Sequence, residues 1–145
     1  MATSSVAVVD GDGHIMETAE DLAQFGWDGP TGSAALDRLL ALDPDVIRRG
    51  LHPQARSGAL DPALRLRDMN REGIDVAVNF PTALLLLNQL DTRAAVRLSH
   101  AYNSWFAATY AAVDPQRLRA MALVALADVH DAAVSYTHLT LPTIL

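Results

Sequence analysis

The 145-residue chain contains no cysteine. Disulfide frameworks and thiolate zinc sites are therefore both excluded, and His, Asp and Glu are left as the strong metal ligands. Long apolar runs are missing too. The longest, such as residues 83–87 and 120–127, fall far short of the roughly 20 residues needed to span a bilayer. There is no basic stripe: the formal charge is -6 with acidic residues scattered along the chain, so nucleic acid is not an expected partner. Residues 1–5 carry no basic side chain and no long apolar stretch follows them, so no secretory signal is expected. These absences predict a cytoplasmic protein that engages neither membrane nor nucleic acid. What is present, 50% hydrophobic and 19% charged residues, is the balance of one soluble globular domain.

The chain alternates apolar β-branched runs with helical patterns. Residues 6–9 read as a buried strand leading into the polar rim Asp10-Gly11-Asp12-Gly13-His14. Residues 16–60 form a weaker stretch, an insertion in which Trp27, Gly29, Pro30 and Gly32 mark loop. Short helices are expected there at 34–42 and 44–49. Asp61 before Pro62 supplies an N-cap and a first-turn proline, and Gly73 a stop, so a helix is predicted over 62–72. A second buried strand is predicted over 74–80, then a helix capped by Asp91 and running to 112, whose apolar face includes Leu98, Tyr102, Trp105 and Phe106. Asp114-Pro115 ends it. A third strand is predicted over 119–126, and Asp128 caps a further helix from Val129. Strands buried on both faces and separated by helices imply parallel βαβ units, an α/β fold.

Chemistry concentrates at the first strand. Side chains alternate along a strand, so Asp10, Asp12 and His14 are predicted to share one face, with neighbours on that face about 6.6 Å apart. Asp12 and His14 can then reach one ion at about 2 Å from each donor, and imidazole plus carboxylate suits zinc or a similar divalent cation. Such an ion lowers the pKa of a bound water towards about 7. Asp-Gly-Asp-Gly also reads as a simple turn, and that reading stays open. An EF-hand loop fails on register, because aligning Gly13 with its central glycine puts Val8 and Ala19 where carboxylates are required. A phosphate-binding loop fails because neither Gly-Lys-Ser/Thr nor GxGxxG follows the strand. His52, His100 and His130 read as surface or packing residues, and Tyr102 and Trp105 as packing against the sheet.

The ordered set Val8-Val9-Asp10-Gly11-Asp12-Gly13-His14-Ile15-Met16-Glu17, then Arg65-Leu-Arg-Asp-Met-Asn-Arg-Glu-Gly-Ile-Asp75, then Phe80-Pro81-Thr82, resembles the amidohydrolase-related (amidohydrolase type 2) family. Within it the likeness is to the branch that uses Asp-x-His on strand one. Ala101-Tyr102-Asn103 with Trp105, and Asp114-Pro115-Gln116-Arg117-Leu118, are similar to the family's next passage in the same order. The resemblance implies about the first three βα units of a (β/α)8 TIM barrel, with metal ligation, zinc above all, by Asp12 and His14. It makes Glu17 a supporting or substrate-side group, a candidate catalytic residue. Asp10 would organise the barrel interior or orient a ligand, and residues 81–89 would shape the substrate pocket. Asn70 departs from the aspartate the family often has there. The implied activity is hydrolysis of a small amide, ester-type or carboxylated substrate by metal-activated water, or metal-dependent nonoxidative decarboxylation. The remaining ligands and a catalytic aspartate are expected on later strands of a longer parent, for which a homo-oligomer is compatible.

Residues 134–145 break the pattern, with no charge and Pro142 where a helix has just begun. The segment resembles the translated read-through of a transposon-derived sequencing adapter. The domain is accordingly drawn as residues 1–133, with 134–145 a non-native tail and His138 no ligand candidate. On that reading the chain as written is an inactive fragment of the parent enzyme. The competing class is a small non-catalytic α/β module that binds a partner through its exposed helix faces.

Overall fold

The computed structural model describes residues 6–49 and 56–140. It is a mixed α/β structure built on a three-stranded, wholly parallel sheet in the order β1-β2-β3. The strands are β1 (Val9–Ile15), β2 (Val76–Pro81) and β3 (Leu118–Ala120). Helices α1 (Ala19–Ala23), α2 (Ala34–Leu40), α3 (Pro44–Arg48) and α4 (Pro62–Glu72) separate the first two strands. The stretch from β2 to β3 carries α5 (Thr92–Trp105), and α6 (Val129–Thr140) follows β3. Among the described residues no helix is long and apolar enough to cross a membrane.

The punctuation expected around α4 is present atom by atom. The Asp61 carboxylate accepts from the N–H groups of Ala63 and Leu64, two donors that the first helical turn otherwise leaves orphaned. Gly73 closes the helix at φ 72°, a left-handed conformation that a Cβ would strain. Asp91 caps α5 in the same way through Arg93 and Ala94. Arg117 then ties the end of α4 to the sheet, donating to the Asn70 side chain and to the Ile74 and Asp75 carbonyls. Asn70 is thus a bonding partner of the residue that precedes β3.

One apolar core lies on the helix-covered face of the sheet. Ile15, Ala77 and Leu118 meet Met69 of α4 and Leu98, Ala101, Tyr102 and Trp105 of α5 there, all nearly inaccessible. Leu22, Trp27, Leu36 and Leu40 from the insertion join the same cluster. Trp27, expected in loop, is buried with the Arg97 guanidinium 5.3 Å from its ring centre. The opposite face is thinly covered: Val76, Val78 and Phe80 of β2 are only half-buried.

Four expectations shift. The first strand is not 6–9 but Val9–Ile15, so the Asp-Gly-Asp-Gly-His motif lies inside the strand and not on its rim. The cause is pairing. The turn at Gly73 starts β2 opposite Val9, leaving Val6 and Val8 exposed at the entry. The second strand likewise begins at Val76 and not at 74, and it includes Pro81.

The predicted helix to residue 112 divides at Trp105 into α5, a π turn over Phe106–Tyr110 and a 3-10 turn over Ala111–Val113. The wider turn accommodates a packed aromatic cluster of Tyr102, Trp105, Phe106 and Tyr110. The third strand is three residues long instead of eight. Beyond Ala120 the Asn103 side chain takes over the pairing, donating to the Leu123 carbonyl and accepting from its N–H. Helix α6 begins at Val129 as expected and continues past residue 134 to Thr140. The readings of residues 1–5, His52 and Pro142 fall outside the described residues.

Candidate functional site

The site grows from an irregularity in β1. Asp10 pairs with Ala77 and Gly13 with Asn79, so two residues of β1, Gly11 and Asp12, stand opposite the single Val78. This is a β-bulge, the device that re-aims side chains at strand ends. Its unpaired N–H is satisfied locally, since Asp12 N donates to Asp10 Oδ1 at 3.1 Å. The extra residue also reverses the alternation. Residues paired in parallel strands point the same way, so Asp10 joins the helix-covered face of Ala77 and Asn79, while His14 shares the face of Phe80. The position of the Asp10 carboxylate agrees: its Oδ2 lies 3.2 Å from where a Gly13 Cβ would stand. The expected single face of Asp10, Asp12 and His14 is thereby corrected to Asp12 and His14, with Asp10 turned away by the bulge.

Asp12 and His14 do converge. His14 Nε2 lies 3.7 Å from Asp12 Oδ1, with the imidazole about half exposed and the carboxylate almost fully so. The other ring nitrogen, Nδ1, sits 3.3 Å from Thr82 Oγ1, at the exit of the neighbouring strand. Thr82 Oγ1 donates to the Ile15 carbonyl at 2.6 Å. The backbone of His14 is held from the other side, where the Arg65 guanidinium of α4 donates to its carbonyl oxygen. Arg65 also donates to the Tyr110 hydroxyl, which in turn donates to the Gly58 carbonyl. The histidine is thus fixed by β1, α4 and the β2 exit at once.

Glu17, the third candidate, lies in the interior at 1% exposure. Its two carboxylate oxygens accept from Thr82 N at 3.1 Å and Leu84 N at 2.6 Å, so it clamps the segment leaving β2 to the segment leaving β1. Burial pushes its pKa up to about 7, against the opposing pull of those N–H donors. Tyr102, whose hydroxyl has no hydrogen-bond partner among the described residues, is pushed above the usual phenol range by burial and then by the Glu17 charge. Burial likewise raises Tyr110, with the Arg65 cation opposing.

Beside His14 opens a cavity of about 660 Å³. Asp10, His14 and Thr82 line it together with Arg38, Arg56, Asp68 and Glu72, so Asp10 reaches the cavity although the bulge puts it on the other face of β1. Asp12 does not. Of residues 81–89, expected to shape the pocket, Thr82 lines the cavity, while Ala83–Gln89 form a 3-10 segment whose Ala83, Leu84 and Leu87 are buried in the core. Of the remaining histidines, His100 pairs with Asp131 at 2.7 Å. The support that Thr82 and Arg65 give His14 was not anticipated, although Phe80-Pro81-Thr82 and Arg65 both stand in segments the motif comparison picked out. Only spatial pairing of β1 with β2 reveals it.

As a metal site the donor set is half complete. Two donors 3.7 Å apart can share one ion at about 2.1 Å from each, with a donor–ion–donor angle near ~120°. Among the described residues, no group of three or more His, Asp or Glu side chains is placed to hold a metal ion. Among the described residues, Asp12 and His14 by themselves supply two donors. No family model matches this chain, and no curated protein matches it.

Proposed function

We propose that this chain carries the first βα units of a metal-dependent (β/α)8-barrel enzyme like those of the amidohydrolase-related family, acting as a hydrolase on a small amide, ester-type or carboxylated substrate. The observation that carries the reading is the convergence of Asp12, from the middle of a parallel strand, and His14, from near its C-terminal end, 3.7 Å apart and open to solvent. In barrel enzymes that end of the sheet bears the active site. The sequential parallel order β1-β2-β3, with helices on one face and the other thinly covered, supports a barrel segment whose inner face awaits further strands.

In this reading Asp12 and His14 hold a divalent ion, zinc by the chemistry of its donors, and the remaining ligands come from later strands. The ion supplies Lewis acidity and an acidified water. Thr82 and Arg65 orient His14, and Glu17 holds the β2 exit that carries Thr82. The cavity beside His14 has room for a small molecule. Arg38 and Arg56 can meet a carboxylate, and Asp68 and Glu72 can accept from an amide N–H.

The test uses the parent protein that this reading requires, with strands beyond the three present here. It should purify with a stoichiometric divalent ion, and Asp12→Ala and His14→Ala should each lower both metal content and turnover by at least tenfold. A metal-free parent whose activity ignores both substitutions would overturn the proposal. Release of carbon dioxide in place of a hydrolysis product would move the reading to a carboxy-lyase using the same pair.

A further inference from the structure

We propose that Thr82 is a positioning residue that fixes the neutral His14 imidazole as its Nδ1–H tautomer, leaving the Nε2 lone pair bare and aimed at Asp12. The geometry stands by itself, and its importance for metal capture rests on the reading given above. A threonine hydroxyl has one proton to donate and two lone pairs to accept with. Thr82 commits its proton to the Ile15 carbonyl, at 2.6 Å the shorter of its two contacts. Toward His14 Nδ1, at 3.3 Å, the same oxygen has only acceptor capacity left. The contact is satisfied when Nδ1 carries the hydrogen. A neutral imidazole has one N–H, so Nε2 is then the unprotonated nitrogen.

That nitrogen faces a carboxylate oxygen at 3.7 Å, too far for a hydrogen bond between them. Two lone-pair donors confront each other across a gap of the right width for a cation and with no proton between them. An unconstrained histidine side chain in water prefers the opposite tautomer, with the hydrogen on Nε2, so the arrangement must be imposed by neighbours. The neighbours are named: Glu17 accepts from Thr82 N and fixes the β2 exit, and Arg65 grips the His14 carbonyl. The hydroxyl is held at its backbone by one and meets a ring held at its backbone by the other. Metal-binding histidines generally have their second nitrogen engaged in this way, and loss of such a partner costs 10–100-fold in affinity.

The experiment is a long-range proton–nitrogen correlation spectrum of the full 15N-labelled 145-residue chain, at about pH 8.5 where an ordinary imidazole is neutral. His14 is assigned by the loss of its signals in His14→Gln. The expected result is a protonated Nδ1 and an unprotonated Nε2 in the wild type, a shift toward Nε2–H in Thr82→Val, and recovery in Thr82→Ser. A wild-type His14 protonated on Nε2, or a Thr82→Val chain with the tautomer unchanged, would overturn the proposal. Should Thr82→Val not fold, the wild-type tautomer and the Thr82→Ser spectrum still decide it.

A parallel titration with Co²⁺, followed by its visible absorption, separates the two readings. Weaker binding by about tenfold in Thr82→Val, restored in Thr82→Ser, supports both. An Nδ1–H His14 in a parent that takes up no ion leaves this inference standing and removes the metal reading. Ion binding through an Nε2–H wild type does the reverse.

Discussion

The two ends of this small sheet are held in different ways. At the exits of β1 and β2 the backbone is tied by one buried and two half-buried side chains: Glu17 spans Thr82 and Leu84, Thr82 reaches the Ile15 carbonyl, and Arg65 reaches that of His14. Ala83, Leu84 and Leu87 close over this layer with essentially no exposure. At the β3–α6 end the strand lasts three residues, one asparagine substitutes for a ladder, and the helix is joined to α5 by the His100–Asp131 pair. Leu126 and Val129 are 70% and 80% exposed there. The same β-then-α grammar yields one corner centred on a desolvated carboxylate, Glu17, and another where large apolar side chains stay wet. In a low-dielectric setting a satisfied hydrogen bond is expensive to break, whereas an exposed one is replaced by water. The candidate site sits at the Glu17 corner, as geometric precision in a ligand pair requires.

The largest effect should come from Glu17. Glu17→Ala strips both acceptors from Thr82 N and Leu84 N and opens a void in the interior, so a loss of about 3 kcal/mol or more is expected in urea unfolding. The carboxylate also gives this corner a pH signature. Its folded-state pKa is raised to about 7 from an ordinary 4.5. Between those values the unfolded chain has released its proton while the folded chain keeps it. Stability therefore falls as pH rises from about 4.5 to about 7, by an amount on the order of 3 kcal/mol, and is flat on either side as far as this group is concerned. Glu17→Gln cannot ionise and should remove that slope, at the cost of one lost amide contact. A wild-type unfolding free energy that rises over this interval would break the contrast, since it would mean the carboxylate is not desolvated.

Much of this was legible in the sequence, and what was not follows a pattern. Helix α4 was readable to the residue because Asp61, Pro62 and Gly73 act locally, through caps and a left-handed turn whose physics needs no tertiary contact. The Asp12–His14 pairing was readable because two residues on one strand face must meet. The bulge was not. Nothing in Asp10-Gly11-Asp12-Gly13 fixes the register against β2, and a shift of one residue sends a side chain to the other face. Asp10 was misplaced for that reason alone. Glu17 reads in the sequence as a supporting or substrate-side group, and its burial depends on the backbone donors of residues 82 and 84, more than sixty positions away. The third strand was overestimated because a run of apolar residues resembles a strand whether or not a neighbour extends far enough to pair with it.

Gly13 offers an intermediate test on the Glu17 side. A Cβ there would stand 3.1 Å from both the Val78 carbonyl and Asn79 Oδ1, and 3.2 Å from Asp10 Oδ2. The side-chain atoms can yield, but the carbonyl belongs to β2 and cannot retreat without moving the ladder. Gly13→Ala should therefore cost about 1–3 kcal/mol in urea unfolding through displacement of the bulge. Gly11, with nothing within 4 Å of its Cβ position, is the matched control and should accept alanine nearly unchanged. Equal losses at both positions would mean that the bulge tolerates no side chain at all and that crowding against β2 is not the cause.

The smallest effect is predicted at the other end. His100 Nε2 meets Asp131 Oδ1 at 2.7 Å; the Asp131 side chain is 16% exposed, but the imidazole is 52% exposed and water competes for it. Pairs open to solvent on one side contribute about 1 kcal/mol, so His100→Ala should shift the unfolding midpoint only slightly. Its consequence should be local. Amide hydrogen exchange in α6 should quicken relative to α4, because the pair links α6 to α5 while the neighbouring apolar residues at 126 and 129 remain largely in solvent. The comparison is sharpened if exchange in α4 is untouched by His100→Ala but accelerated by Glu17→Ala. If His100→Ala instead lowered global stability as much as the interior carboxylate variant, the β3–α6 end would be part of the same cooperative unit. The distinction between a desolvated corner and a wet one would then lose its energetic basis.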